Sequence, residues 1–389
     1  MHVDDTSDWR DAKRRILENC ERVVIKVGSA VLTSDRGLDL RVVNRLADQI
    51  AVLHDKGMEV VIVTSGAVAA GRRAIMHCKG CRDEGSLPAR QAVSAIGQSR
   101  LMHEYDEAFF RYGKTTAQIL LTRADFEDRA RFLNARNTLR TLLDWRVIPI
   151  INENDTVAVA ELKFGDNDTL ASMVLSLVEA DLFVNLTSAK GVFSENPEKN
   201  PAAKPLPVIE HIADLDIEAM CSGKTAVGSG GMYSKLLAAR RAAQLAVPTL
   251  IVSGLTPFAL EKAFEDDESG TLVLPAEHAV SRRKFWLAYH TRPAGQVWID
   301  QGAATALRDR GKSLLAAGVT RVENDFNEGS LVRILDFQGQ TIGVGLSNYS
   351  GKDLQTIMGL KTDDIARVLG PGLYAEVIHR DNMLLDPAL

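Results

Sequence analysis

Cysteine is scarce in this sequence, with four residues in 389, at positions 20, 78, 81 and 221. Cys78 and Cys81 form one CxxC, but neither a second CxxC nor an HxxxH follows, so the ligand set of a structural zinc site is incomplete. His77 adjoins the pair and keeps a metal or redox role open beside the plainer reading of reduced loop thiols. Apolar runs of membrane-spanning length are missing, and the charged start "MHVDDTSDWRDAKRRILENC" holds no apolar core of a signal peptide. A cytoplasmic protein is expected. A basic surplus is missing too: the net charge of -5 and pI near 6.0 argue against binding nucleic acid or an anionic membrane by bulk charge. There is no low-complexity tract and no fixed-period repeat. What remains is ordinary globular composition, 46% hydrophobic and 25% charged, in a chain long enough for two or three domains.

Six short β-rich runs punctuate the first 255 residues: "VVIKV" (23–27), "VVIVT" (60–64), "AQILLT" (117–122), "VIPII" (147–151), "LFVNLT" (182–187) and "TLIVSG" (249–254). Each is almost continuously apolar, as strands covered on both faces are. Helical stretches at 41–56, 89–111, 132–145 and 233–246 lie between them, which predicts a doubly wound, mainly parallel α/β sheet sandwiched by helices. Small, hydroxyl, glycine and acidic residues follow the strands: "GSA", "SGAVAAG", "NENDTV" and "SAKG". In open α/β sheets the ligand crevice lies at those strand ends. The pattern breaks near 255–281 into an acidic, irregular stretch. From Lys284 the segments "FWLAYH", "GQVWID", "LVRILD" and "TIGVGL" read as β-like, with a small helix near 302–310. The expected organisation is an extension over 1–20, an α/β domain over 21–275, a linker over 276–283 and a small, mostly β domain with the tail over 284–389.

Two nucleotide fingerprints fail. "GAVAAGRR" (66–73) has the spacing of a P-loop, but Arg72 and Arg73 stand where Lys and Ser/Thr are required. "GSGGMYS" (228–234) starts like GxGxxG, yet Tyr233 takes the last glycine position. The same segment, with Lys235, still opens a helix, and a glycine-rich turn at a helix start is a ready anion site. Lys26 lies inside the first buried strand, where a lysine is rare without a partner. Two such lysines sharing one polyphosphate would repel each other unless a carboxylate stood between them. "FGDNDTLASMVLSLV" (164–178) offers one: Leu170, Met173, Val174, Leu177 and Val178 form a helical stripe, and Asp166, Asn167 and Asp168 crowd its mouth. Asp168 is read either as a plain helix cap or as the organiser of Lys26 and Lys235. On the second reading Asp168→Asn should abolish most of the activity at near-normal thermal stability.

In order and at matching spacing, "VVIKVGSAVLT", "VIVTSGAVAAG", "LLTRADFEDRARFLNARNTL", "PIINENDTVA", "FGDNDTLAS" and "GSGGMYSKLLAA" resemble the glutamate 5-kinases of the amino acid kinase family. "PAGQVWIDQGAATALRDRGKSLLAAGV" with "FNEGSLVRI" is similar to the PUA domain, a small barrel, that many of them carry at the C-terminus. The resemblance implies ATP-dependent phosphorylation of the γ-carboxylate of L-glutamate, the first step of proline biosynthesis, with Mg²⁺ accompanying ATP. It implies proline as feedback inhibitor, a homo-oligomer (dimer or tetramer), and a downstream γ-glutamyl phosphate reductase as partner. Carried over by motif, Lys26, Asp168 and Lys235 are catalytic, and Ser65, Asp155 and Asn167 bind glutamate. Lys26, Thr187, Ser188, Ser229, Gly230, Gly231, Met232, Tyr233, Ser234 and Lys235 bind the nucleotide, and no protein metal site is implied. Ser188 departs from the family, which commonly has aspartate there.

The chemistry agrees from a separate direction. A glutamate carboxylate is already ionised at pH 7 and needs no general base, and none of the motifs contains histidine. Alignment of two anions and neutralisation of charge are required instead. The acids of "NEND" would repel a phosphate acceptor, whereas Asp155 suits a substrate ammonium. The rival enzyme is another member of the family acting on a different acidic substrate. The rival from another class is an RNA-binding protein using the PUA domain, but residues 282–389 hold 13 Lys/Arg against 12 Asp/Glu, without a basic footprint.

Overall fold

A computed structural model describes residues 8–34, 37–76, 85–158, 167–197, 199–221, 231–265, 269–290, 292–370 and 374–386. Cys78, Cys81, Asp166, Ser229 and Gly230 lie outside the described residues. The chain divides into two compact units after Ala279.

The first unit is built on eight strands: β1 (Arg22–Val27), β2 (Glu59–Thr64), β3 (Thr116–Leu121), β4 (Ile148–Glu153), β5 (Leu182–Thr187), β6 (Val208–Ile209), β7 (Thr249–Ser253) and β8 (Thr271–Val273). Their order across the sheet is β6-β8-β7-β5-β1-β2-β4-β3. Five of the six residues of β1 and all six of β5 are buried, which explains why their sequences are apolar apart from a few polar positions such as Lys26 and Asn185. Pairing is parallel from β7 through to β3, and β8 runs antiparallel to β7. The short strands β6, at one edge of the sheet, and β8 beside it have only two and three residues, too few for a readable alternation along the chain. The chain winds to one side of β1 through β2 and to the other through β5, so the C-terminal end of β1 is the switch point where such sheets bind ligands.

The longer helices of this unit are α1 (Asp8–Glu18), α2 (Leu40–Asp55), α3 (Ala67–Ile75), α4 (Leu87–Phe110), α5 (Arg129–Asp144), α6 (Asn167–Val178) and α7 (Met232–Gln244). Side chains alternate across a strand, so Val23, Ile25 and Val27 enter the main apolar cluster while Lys26 takes the other face. Trp9 and Cys20, from the stretch expected as an extension, pack into that same cluster. Helices α3 and α4 cross with their backbones almost touching: a Cβ on Gly97 would sit 1.7 Å from the Ala67 carbonyl oxygen, and one on Gly71 1.8 Å from that of Val93. Only glycine fits at either place.

The second unit has its own core, including Val297, Ile299, Leu307, Val332, Ile334 and Leu354. Its five strands lie in the order Val319–Glu323, Gly295–Ile299, Leu331–Leu335, Thr341–Leu346, Met383–Leu385. One expectation is corrected here: "FWLAYH" is not a strand but part of the helix Arg282–His290. Phe285, Ala288 and Tyr289 are buried at i, i+3 and i+4, a helical period that a six-residue run read in isolation does not reveal. Among the described residues no helix is long and apolar enough to cross a membrane.

Candidate active site

The site begins with Asp168, in the first turn of α6 and fully buried at 0% exposure. Its carboxylate accepts from four side chains. Oδ1 receives Lys26 Nζ at 2.6 Å and Asn185 Nδ2 at 2.9 Å. Oδ2 receives Ser234 Oγ at 2.7 Å and Lys235 Nζ at 3.2 Å. Both lysines are buried as well. The donors come from β1, β5 and the first turn of α7, so three separate elements meet on one carboxylate. Burial works against ionisation of Asp168, but the two ammonium groups and the hydrogen bonds from Lys26 and Ser234 outweigh it and hold the acid below its ordinary value. Among the described residues one carboxylate stands between the two ammonium groups, and both lysines line the adjoining space, where they can meet an anion.

That space is a cavity of about 610 Å³ at the C-terminal ends of β1, β2, β4 and β5. Lys26, Lys235, Ser65, Asp155, Asn167, Thr187 and Ser188 all line it. A second cavity of about 700 Å³ shares Ser188 and is lined by Val192, Phe193, Gly231, Met232, Tyr233 and Leu236 among others. A lysine-lined chamber and a more apolar one thus adjoin, as the two ends of a nucleotide would require. Every described residue expected at the site falls at one of these cavities, apart from Asp168 and Ser234. Those two stand behind the lysines, and the Ser234 hydroxyl is engaged with Asp168.

Several partners were not legible in the sequence. Asn185 sits in the middle of an apolar strand, directly opposite Lys26 in register, and is fully buried. Arg72, rejected above as a P-loop lysine, lines the lysine chamber, as does Glu153. Asn167 is held by an unexpected set of acceptors: its Nδ2 lies 2.6 Å from the Thr64 carbonyl, 2.8 Å from Ser65 Oγ and 3.0 Å from Asn152 Oδ1. A backbone carbonyl only accepts, so this atom is nitrogen, and Oδ1 is the atom left for a ligand. Ser65, whose Oγ accepts from Asn167, retains its proton to donate. Asp155 is steadied by the hydroxyl of Ser94, which donates to Oδ2 at 2.8 Å. One end of the chamber therefore offers acceptors and a hydroxyl, the other two ammonium groups.

The lowered value of Asp168 has a consequence in acid. A carboxyl whose folded value lies below its unfolded 3.8 contributes stability that is fully present above 3.8 and is lost as pH falls through the folded value. Thermal unfolding across pH 2–6 should show an acid limb confined below about pH 4 to which Asp168 contributes. In Asp168→Asn that contribution should be missing. An unchanged acid limb in the variant would contradict the assignment.

Comparison with known proteins follows the same lines. The model of the amino acid kinase family matches residues 21–253, and that of the PUA domain matches residues 295–369. The glutamate 5-kinase of Maridesulfovibrio salexigens is 60% identical over 373 residues, covering 96% of this chain and 98% of its own. That of Oleidesulfovibrio alaskensis is 58% identical, covering 97% and 99%. Among solved structures, the carbamate kinase of Giardia lamblia bound to AMP-PNP superposes with a TM-score of 0.50 at 17% identity, covering 66% of this chain and 99% of that one. At that identity the likeness speaks for the fold alone.

Proposed function

The chain belongs to the amino acid kinase family, and from that premise we propose that it is a glutamate 5-kinase, transferring the γ-phosphoryl group of ATP to the γ-carboxylate of L-glutamate. The observation that carries the reading is the buried carboxylate of Asp168 clamping Lys26 and Lys235 at the edge of a chamber with amino-acid-sized polar features. In the reaction a γ-carboxylate oxygen attacks the γ-phosphorus, the bond to the β–γ bridging oxygen breaks, and ADP leaves with the electron pair. No proton moves, so no general base is needed. Lys26 and Lys235 neutralise charge on the transferring group, and Asp168 fixes where they stand before the substrates arrive, which is the preorganisation that makes such electrostatics effective.

At the other end, Asp155 and Asn167 Oδ1 accept from the substrate ammonium and the Ser65 hydroxyl donates to the α-carboxylate. The adenine half of ATP occupies the second cavity, beside Gly231, Met232 and Tyr233. Among the described residues no group of three acidic, His or Cys side chains is placed to hold a metal. Magnesium would accompany the nucleotide, held by phosphates and water. When bound it neutralises phosphate charge. Proline shares the ammonium and carboxylate head of glutamate, which supports its competing for Asp155, Asn167 and Ser65 as feedback inhibitor. The product is a hydrolysable acyl phosphate, which supports a γ-glutamyl phosphate reductase as its consumer.

The test is ADP release with glutamate, aspartate, N-acetylglutamate and UMP offered in turn. Glutamate alone should give substantial turnover, because Asp155 needs an unblocked ammonium and the acids Glu153 and Asp155 repel a phosphate. Turnover driven by another member of the panel, with glutamate inert, would refute the reading.

A further inference from the structure

Asn152 and Gln98 extend the contacts of Asn167 away from the chamber. Asn152 Oδ1 accepts both from Asn167 Nδ2 at 3.0 Å and from the backbone N–H of Glu153 at 2.9 Å. That fixes Oδ1 as oxygen, and Asn152 Nδ2 in turn donates to Gln98 Oε1 at 2.8 Å. Both residues are buried, Asn152 at 4% and Gln98 at 8% exposure. The three amides form a directional chain that acts together with the Thr64 carbonyl on Asn167 and the Glu153 N–H on Asn152, and it ends with Asn167 Oδ1 as the atom left for a ligand.

Gln98 is also a residue that stability alone would not favour. Its Nε2 is buried with no hydrogen-bond partner among the described residues, a costly condition that an apolar side chain of similar size would remove. What the glutamine supplies is the acceptor for Asn152. Four residues earlier, on the same row of α4, Ser94 steadies Asp155, the other acceptor expected at the substrate ammonium. Resting on the glutamate 5-kinase reading above, we propose that Gln98 is a positioning residue for substrate selection. Through Asn152 it holds Asn167 with its carbonyl oxygen toward the substrate, so that the site demands an α-ammonium group.

Glutarate, which is glutamate without the amino group, reads this directly. The measured quantity is the ratio of kcat/KM for glutamate to that for glutarate, in wild type, Gln98→Met and Gln98→Glu. The methionine variant removes the acceptor at similar volume, which leaves Asn152 Nδ2 without its partner and loosens the support that Asn152 gives Asn167. Its ratio should fall about tenfold, the scale of one lost hydrogen bond to a charged group. The loss should appear in KM for glutamate, with kcat within about twofold and KM for ATP unchanged. Gln98→Glu keeps an oxygen facing Asn152 and should retain the wild-type ratio. An unchanged ratio in Gln98→Met, or parallel rises in KM for glutamate and ATP, would overturn the proposal. Should the methionine variant not fold, loss of the ratio in Gln98→Glu would overturn it equally. A wild-type protein that releases no ADP with glutamate refutes the functional reading instead, whatever the variants do.

Discussion

Asp168→Asn lowers kcat by about 10²-fold or more, the usual scale for losing one preorganised electrostatic group. Asparagine caps a helix about as well as aspartate, so a residue serving only as a cap would show little change. Here the change removes the negative charge that stands between two buried ammonium groups, and each lysine then either leaves its position or gives up its proton more readily. KM for ATP should rise less than kcat falls, since the apolar cavity is untouched. Near-normal thermal stability, expected when Asp168 is read from sequence alone, does not survive its environment. With the carboxylate fully buried and accepting from four donors, removing one partner of a buried ion pair costs about 3–5 kcal/mol. The lysines line an open chamber and can turn toward water, which places the cost at the lower end. Activity measured well below the variant's melting temperature separates the two effects.

Gly97→Ala lowers stability by about 3 kcal/mol or more, at or above the upper end for overpacking. The added methyl would lie 1.7 Å from the Ala67 carbonyl oxygen and 2.4 Å from the backbone nitrogen of Gly71. Both are backbone atoms inside a helix, so no side chain can swing aside, and α3 must move as a body. Gly66 and Ala67 at the start of α3 line the lysine chamber, so displacement reaches the site. A melting temperature lower by about 6 °C or more is expected, on the scale of a few degrees per kcal/mol for a domain of this size. KM for glutamate should rise. Ser99→Ala, exposed on the same helix, should change stability by less than about 0.5 kcal/mol. Equal stability of the two variants would mean that the α3–α4 crossing is looser than described.

The contrast between these two positions shows what the sequence disclosed. Lys26 was legible because a lysine in an apolar strand has to be explained, and Asp168 because it stood among polar residues at the mouth of a buried helix. Six strands of the first unit were legible as well, each observed within about two residues of its apolar run. Gly97 was not, since a glycine inside a long helix carries no mark of the backbone opposite it. Asn185, Asn152 and Gln98 were also hidden. Each is a single amide in an apolar or mixed segment, and its importance comes from a register or from a partner more than fifteen residues away in sequence: Asn185 pairs with Lys26 across the sheet, and Gln98 meets Asn152 from another element. Pairing across elements leaves no periodic signal along the chain. The helix Arg282–His290 reads as a strand for the same reason in reverse, because six apolar and aromatic residues look alike in strand and helix until their neighbours are known.

The central claim is that the γ-carboxylate of glutamate is the phosphoryl acceptor. An acyl phosphate formed there is captured by hydroxylamine as γ-glutamyl hydroxamate, so the decisive measurement is hydroxamate produced from ATP, Mg²⁺ and L-glutamate by the purified full-length chain. The account predicts hydroxamate and ADP in equal amounts from the wild type, with Asp168→Asn giving about a hundredth of that rate or less. ADP release without hydroxamate, or hydroxamate at the wild-type rate from Asp168→Asn, would contradict it.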